Sequence, residues 1–312
     1  MSVPTSKPQA KQEIERRSLK VGPYTIKAVP TGIFGLDGGA MFGTVPKVLW
    51  EKSNPPDDHN RIRMEARALL MDCPASAGKP ARRILVDCGI GGDFVEKYGE
   101  KLGPKFAEMY AIQGSGIEDR LKSMGLGLGD VTDVILTHLH FDHAGGATCT
   151  RGGNLVPTFP NARYYIQKAN LETASHPNLR ERASYYAANF QPLLDAGVLN
   201  VLDGPVNDLL PGVSVKISNG HTLGQQTVWV EDGVNGVVYC GDVIPTSSHV
   251  RLPWVMGYDL QPLVLIEEKR ELLKPAAQKK YHLFFEHDPD VDCALVDAAK
   301  DDFAVSHRYI LN

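Results

Sequence analysis

The chain has 312 residues, 33 Lys+Arg against 37 Asp+Glu, and a formal charge of −4. Apolar residues make up 43% and charged residues 22%, which excludes a disordered chain, a collagen and a coiled coil. The mild acidity speaks against a dedicated nucleic-acid binder, which shows a basic excess. No run approaches the ~18 apolar residues of a membrane span, and the first residues lack the apolar core of a secretory signal. The five cysteines (Cys73, Cys88, Cys149, Cys240 and Cys293) are irregularly spaced and form no CxxC pair. They are expected to be reduced thiols of a cytoplasmic protein.

Residues 1–20 are polar and charged and are expected to form a flexible N-terminal arm, with a single domain over residues 21–312. Ala28-Val29-Pro30, Ile33 to Leu36 and Lys47 to Trp50 read as short strands, with a turn at Asp37-Gly38-Gly39. Ile62 to Cys73 and Ile84 to Asp87 read as a hairpin around the small-residue turn 75–80. Helical patterns follow at the start of 94–110 and over 116–124. Val134 to Thr137 and Ala162 to Ile166 are strand candidates, and 171–189 reads as one or two helices broken near Pro177. Val213 to Ile217 alternates with period two. Thr227 to Val230 and Val237 to Cys240 flank Asp232-Gly233-Val234-Asn235-Gly236, a hairpin signal. Pro262 to Leu273 is amphipathic, and Leu283 to Phe285 is a last strand before His287. Two strand-rich halves with helices outside them suggest a layered α/β sandwich.

The chemistry concentrates in Thr137-His138-Leu139-His140-Phe141-Asp142-His143-Ala144-Gly145-Gly146. A lone histidine is usually an ordinary surface or core residue, and His59, His176, His282 and His307 are read that way. Three histidines and an aspartate within six positions are different, because buried ionisable groups must be paired or bind metal. His221, Asp242 and His287 each follow a separate apolar run, and strand ends at one sheet edge are where open α/β sheets place sites. Imidazole and carboxylate suit Zn, Fe, Mn or Co. Seven donors exceed one tetrahedral ion and suit two. One ion is assigned to His138, His140 and His221, the other to Asp142, His143 and His287, with Asp242 as the bridge. Two ions about 3.5–4 Å apart would hold a bridging hydroxide as nucleophile. Of the seven, His287 rests only on its place after a strand.

Cys240 is read as a core thiol rather than a ligand. Asp87 is either an acceptor that orients the metal-binding loop or an ordinary turn carboxylate. Gly145-Gly146 suits close backbone approach at a helix start. Phe34, Met41, Phe42, Trp50 and Trp254 are either core residues or an apolar mouth for an acyl or aromatic group.

His138, His140, Asp142 and His143, with Gly220-His221-Thr222, Gly241-Asp242 and His287, resemble the metallo-β-lactamase fold superfamily over roughly residues 28–289. The stretches Leu36 to Gly43, Val45-Pro46-Lys47, Gly241 to Thr246 and Pro253 to Asp259 resemble its YtnP-like quorum-quenching lactonases, near the methyl parathion hydrolase-like enzymes. The resemblance implies a four-layer αββα sandwich, two mixed β-sheets flanked by helices, with a dinuclear metal site at one sheet edge. It also implies a small-molecule lactone, ester or phosphotriester as substrate, two divalent ions with zinc first, and a homodimer. No nucleic acid or membrane is expected as a partner. N-acyl homoserine lactone is the first substrate candidate, and Asp142 could relay a proton to the leaving alkoxide. Phosphotriester hydrolysis and then β-lactam hydrolysis follow as alternatives. From a different class, an iron redox or metal-sensing protein is the alternative. Where many members carry a proline and a second histidine after the isolated histidine ligand, this chain reads His221-Thr222-Leu223-Gly224-Gln225. The well-studied lactonases place a tyrosine shortly after the bridging aspartate. Here the nearest is Tyr258, read either as an oxyanion or leaving-group donor or as a tyrosine bound to backbone.

Overall fold

The computed structural model describes residues 14–76, 78 and 80–312. Its strands are β1 (Ile14–Arg17), β2 (Leu19–Val21), β3 (Tyr24–Asp37), β4 (Arg61–Cys73), β5 (Arg82–Val86), β6 (Asp133–Ile135), β7 (Thr148–Arg151), β8 (Asn154–Pro157) and β9 (Arg163–Gln167). They continue as β10 (Leu199–Leu202), β11 (Val206–Leu210), β12 (Val213–Ser218), β13 (Gln225–Glu231), β14 (Gly236–Tyr239), β15 (His282–Phe284), β16 (Cys293–Ala299) and β17 (Asp302–Leu311). The helices are α1 (Gly38–Phe42), α2 (Lys47–Trp50), α3 (Phe94–Tyr98), α4 (Gly103–Tyr110), α5 (Gly116–Ser123), α6 (Phe141–Ala144), α7 (Lys168–Ser175), α8 (Gln191–Asp195) and α9 (Pro262–Lys279).

One mixed sheet runs β10-β9-β6-β5-β4-β3-β2, a second runs β1-β17-β16-β15-β14-β13-β12-β11, and β7-β8 is a separate ribbon. Successive strand residues point to opposite faces, and both faces of each sheet are covered. Leu69, Met71, Ile84 and Val86 of the first sheet meet Val228, Val230, Val237 and Tyr239 of the second. The intervening Leu70 and Leu85 face outward onto Ile117 and Leu121 of α5. Val238 and Leu283 face the other way, onto Leu265, Leu272 and Leu273 of α9. Two sheets with helices on both outer faces make the expected αββα sandwich. Such doubly covered strands read as near-continuous apolar runs, which is why the central strands were legible.

Other expectations need correction. Ala28 to Leu36 is part of one long strand with a register shift between Pro30 and Gly32. Lys47 to Trp50 is a helical turn, not a strand. Trp50 is buried while Val48 and Leu49 are exposed, and a four-residue apolar run has too little length to show a period. Asp37 caps α1, accepting from the Ala40 N–H at 2.8 Å, so Asp37-Gly38-Gly39 starts a helix. Residues 14–17 and 19–20 of the expected arm are in sheets: β1 pairs in parallel with β17, and β2 pairs with β3. Residues 1–13 lie outside the described residues, as do Ala77 and Lys79 of the 75–80 turn. The strands β16 and β17 were not anticipated. The five cysteines are free. Among the described residues, no helix is long and apolar enough to cross a membrane.

Candidate metal centre

The sandwich brings its chemistry-bearing residues to one edge. His138 and His140 lie in the connection from β6 to α6, Asp142 and His143 in α6 itself, His221 follows β12, Asp242 follows β14 and His287 follows β15. All seven are buried. The loop 138–147 presses against the residues after β5. A Cβ on Gly145 would stand 2.0 Å from the Ile90 carbonyl oxygen, and one on Gly146 would stand 2.3 Å from that of Cys88. The close backbone approach expected there is present, where α6 ends and a 3-10 turn starts at Gly145.

Two donor sets form. In the first, His140 Nδ1 lies 3.0 Å from His138 Nε2 and 3.2 Å from His221 Nε2, and Asp242 Oδ2 lies 3.3 Å from His221 Nε2. In the second, His287 Nε2 lies 3.2 Å from His143 Nε2 and 3.7 Å from Asp142 Oδ2. Asp242 Oδ1 stands 3.5 Å from His143 Nε2 and 3.3 Å from His287 Nε2, so its two oxygens face different sets. Ligand atoms about 2.0–2.1 Å from a tetrahedral ion are roughly 3.3 Å apart. The separations in both sets bracket that value. Asp242 Oδ1 is buried without a hydrogen-bond partner, as a carboxylate oxygen awaiting a cation is. The residues therefore fit divalent metal.

Electrostatics agree. Burial, reinforced by the neighbouring imidazoles, holds His138 and His140 well below the ordinary histidine range. Burial also opposes charge on His143, His221 and His287, but facing carboxylates outweigh it. His143 is pulled well up by Glu286, Asp242 and Asp142, His221 is raised by Asp242 and Asp259, and His287 rises to about 9 on Asp242. The buried Asp242 carboxyl is held far below its usual range by His143, His287 and His221. A pocket that attracts protons this strongly attracts a dication for the same reason.

The outer nitrogens are held by partners that aim the inner ones. Asp87, buried at φ 57°, accepts from the Thr137 N–H at 2.7 Å and the Thr137 hydroxyl at 2.6 Å. Its Oδ2 lies 3.0 Å from His143 Nδ1, so the orienting reading of Asp87 holds and the plain turn reading does not. Glu286 Oε2 lies 2.6 Å from the same nitrogen. His221 Nδ1 donates to Asp259 at 2.9 Å, and His287 Nδ1 donates to the Glu65 carbonyl at 2.8 Å. Sequence reasoning missed Glu286 and Asp259 as partners, although Glu286 precedes a ligand and Asp259 ends a stretch singled out for kinship. It also passed over His249, which is buried, stacks on Phe42 and lies 2.8 Å from the Met41 carbonyl. Cys240 is a buried thiol facing the Val238 carbonyl, outside both donor sets.

A cavity of about 280 Å³ opens onto the centre, with His140, Asp142, His221, Asp242 and His287 on its floor. Leu36, Met41, Tyr110, Phe141 and Met256 supply apolar wall, and Tyr258, 40% exposed, stands at its side. Of the five residues weighed as an apolar mouth, Met41 alone is among the lining residues. Phe34, Phe42 and Trp50 are core, and Trp254 packs edge-on against Phe42.

The sequence profile of the metallo-beta-lactamase superfamily matches residues 78–287, more than half of the chain and the span that holds all seven donors. The chain belongs to the metallo-beta-lactamase superfamily. It is a metal-dependent hydrolase. A probable metallo-hydrolase of Mycobacterium bovis is 28% identical over 232 residues, covering 67% of this chain and 68% of that protein. An N-acyl homoserine lactonase of Bacillus thuringiensis is 28% identical over 212 residues, covering 66% and 76%. The structure of a probable metal-dependent hydrolase from Staphylococcus aureus superposes with a TM-score of 0.79 at 27% identity, covering 94% of this chain and 100% of that one.

Proposed function

We propose that this protein is a dinuclear hydrolase that opens lactone rings or cleaves carboxylic esters, with N-acyl homoserine lactones as first substrates. The observation that carries the reading is Asp242 standing between two donor sets on the floor of an apolar-walled cavity. The similarity to an N-acyl homoserine lactonase supports the substrate class. His138, His140 and His221 would hold one ion, Asp142, His143 and His287 the other, and Asp242 both. Bound there, two divalent cations, zinc first, supply Lewis acidity toward a carbonyl and a water acidified toward neutrality.

The chain's own residues then have distinct tasks. The apolar wall takes the acyl group and excludes water from the ester carbonyl. Tyr258, whose hydroxyl burial pushes up to about 12, stays protonated and donates to the carbonyl or leaving oxygen. Asp142, at the edge of the second donor set, takes the proton that the attacking water gives up and passes it to the departing alkoxide, so the proton is conserved through the cycle. A homodimer and a cytoplasmic location belong to the same reading.

The test is proton release from short- and long-chain acyl homoserine lactones by metal-replete protein, with chelated protein as control. Fast, metal-dependent turnover is expected, with the acyl length that suits the cavity preferred. No turnover with two ions bound would remove the lactonase assignment and redirect the search to phosphotriesters and simple esters.

A further inference from the structure

His140 is oriented unlike the other four imidazoles of the centre. Its Nδ1 faces His138 and His221, so Nδ1 is the atom turned inward. That leaves Nε2 outside the donor set, where it is buried without a hydrogen-bond partner. A buried N–H left unpaired loses its hydration with nothing in return, so an acceptor is required. Glu181 Oε1 faces this nitrogen at 4.0 Å. Its carboxylate is 4% exposed and also lines the cavity.

Glu181 is firmly placed. The Thr222 hydroxyl donates to Oε1 at 2.5 Å, and the Asn178 amide donates to Oε2 at 2.5 Å. The segment that carries it is fastened to the ligand loop. The Phe141 N–H donates to the Ser184 carbonyl at 2.9 Å, and the His140 ring lies against the Tyr185 ring with centroids 4.6 Å apart. Thr222 directly follows His221. Glu181 therefore touches both loops that contribute histidines to the first donor set, and nothing in the chemistry assigned above uses it.

We propose that Glu181 is a positioning residue: it takes the Nε2–H of His140, fixes the tautomer whose Nδ1 is free to ligate, and ties His140 to the His221 loop through Thr222. A small rotation of the imidazole closes the 4.0 Å separation. The inference rests on the reading of the seven residues as metal ligands.

The experiment is Co(II) titration of apoprotein against a chromophoric chelator, with the visible Co(II) spectrum recorded, for wild type, Glu181→Met and Tyr185→Phe. Wild type is expected to take up two equivalents. Glu181→Met should weaken one of them roughly 10–100-fold and change the spectrum of that ion. Tyr185→Phe keeps the ring against His140 and removes only a hydroxyl that lies 2.8 Å from the Thr222 hydroxyl, so it should leave both affinities in place. A Glu181→Met protein that only melts earlier, with wild-type Co(II) affinity and spectrum, overturns the proposal. Wild type that binds fewer than two equivalents overturns the underlying metal reading, and this proposal with it. Should Glu181→Met fail to fold, Glu181→Gln replaces it. Loss of the charge should still cost several-fold in affinity at one ion, and wild-type behaviour overturns the proposal.

Discussion

Asp87 does at one residue what several loops do together. It accepts two bonds from Thr137 at the entrance to the ligand loop and faces His143 Nδ1 with the same carboxylate. Its left-handed backbone, φ 57°, is one that Asp and Asn tolerate better than Ala. On the proposed ligand assignment, Asp87→Ala is expected to lower affinity for an ion held by Asp142, His143 and His287 about 10–100-fold, read by chelator competition, and to lower the melting temperature. Tyr258 and Asp142 are distinguished by kinetics. Tyr258→Phe should cut kcat on the order of 100-fold with KM little changed if the hydroxyl donates in the transition state. An unchanged kcat would leave Tyr258 as cavity wall. Asp142→Asn, compared at equal metal content, should lose rate. Undiminished turnover would remove its role in proton transfer.

At the scale of elements, the centre depends on how the 138–147 loop seats on the residues after β5. Lys97 of α3 holds that seat from the other side, its buried ammonium donating to the Gly145 carbonyl at 2.5 Å and the Thr148 carbonyl at 2.6 Å. Gly145→Ala puts a methyl 2.0 Å from backbone that has no side chain to move aside. It should destabilise the fold by about 1–3 kcal/mol and displace His143, seen as a lower melting temperature together with reduced metal content. A second element is sensitive to pH. His282 of β15 is buried beside Arg17 of β1, with Arg17 Nη1 3.2 Å from its Nε2. Burial, then the Arg17 charge, push the imidazole down to about 4, against about 6.5 in an unfolded chain. Between those values the unfolded chain binds the extra proton. Stability on the order of 3 kcal/mol, present above about pH 6.5, is therefore lost as pH falls through about 4. Hydrogen exchange along β1 and β17 should rise over that window, and His282→Gln should flatten the response.

For the whole molecule, the seven donors are supplied by connections following four strands of two sheets, so a bound ion ties the two halves of the sandwich together. Chelation should lower the melting temperature by roughly 5–10 °C per ion, taking about 4 kcal/mol for an ion present at a thousandfold its Kd. Calorimetry before and after metal is restored measures this, and an unchanged transition would remove the centre from the folding energetics. The clustering of the seven candidate donors was legible because four are local in sequence and because the others follow apolar runs that could only be buried strands. Partner choice was not legible. Asp259 and Glu286 reach their imidazoles across 38 and 143 positions, and Glu181 reaches Thr222 across 41. The short run Lys47 to Trp50 carries no period that separates helix from strand. In β17, buried and exposed residues alternate imperfectly around the register shift at Leu295/Val296, which blurs the strand signal. The sequence by itself determined the layered fold, the superfamily and the seven side chains that gather at one sheet edge, because local periodicity and residue spacing are properties of neighbouring residues. The tertiary structure alone decided which carboxylate faces which nitrogen, which residues wall the cavity and where the chain's two ends pair, because those contacts form only when distant segments are packed together.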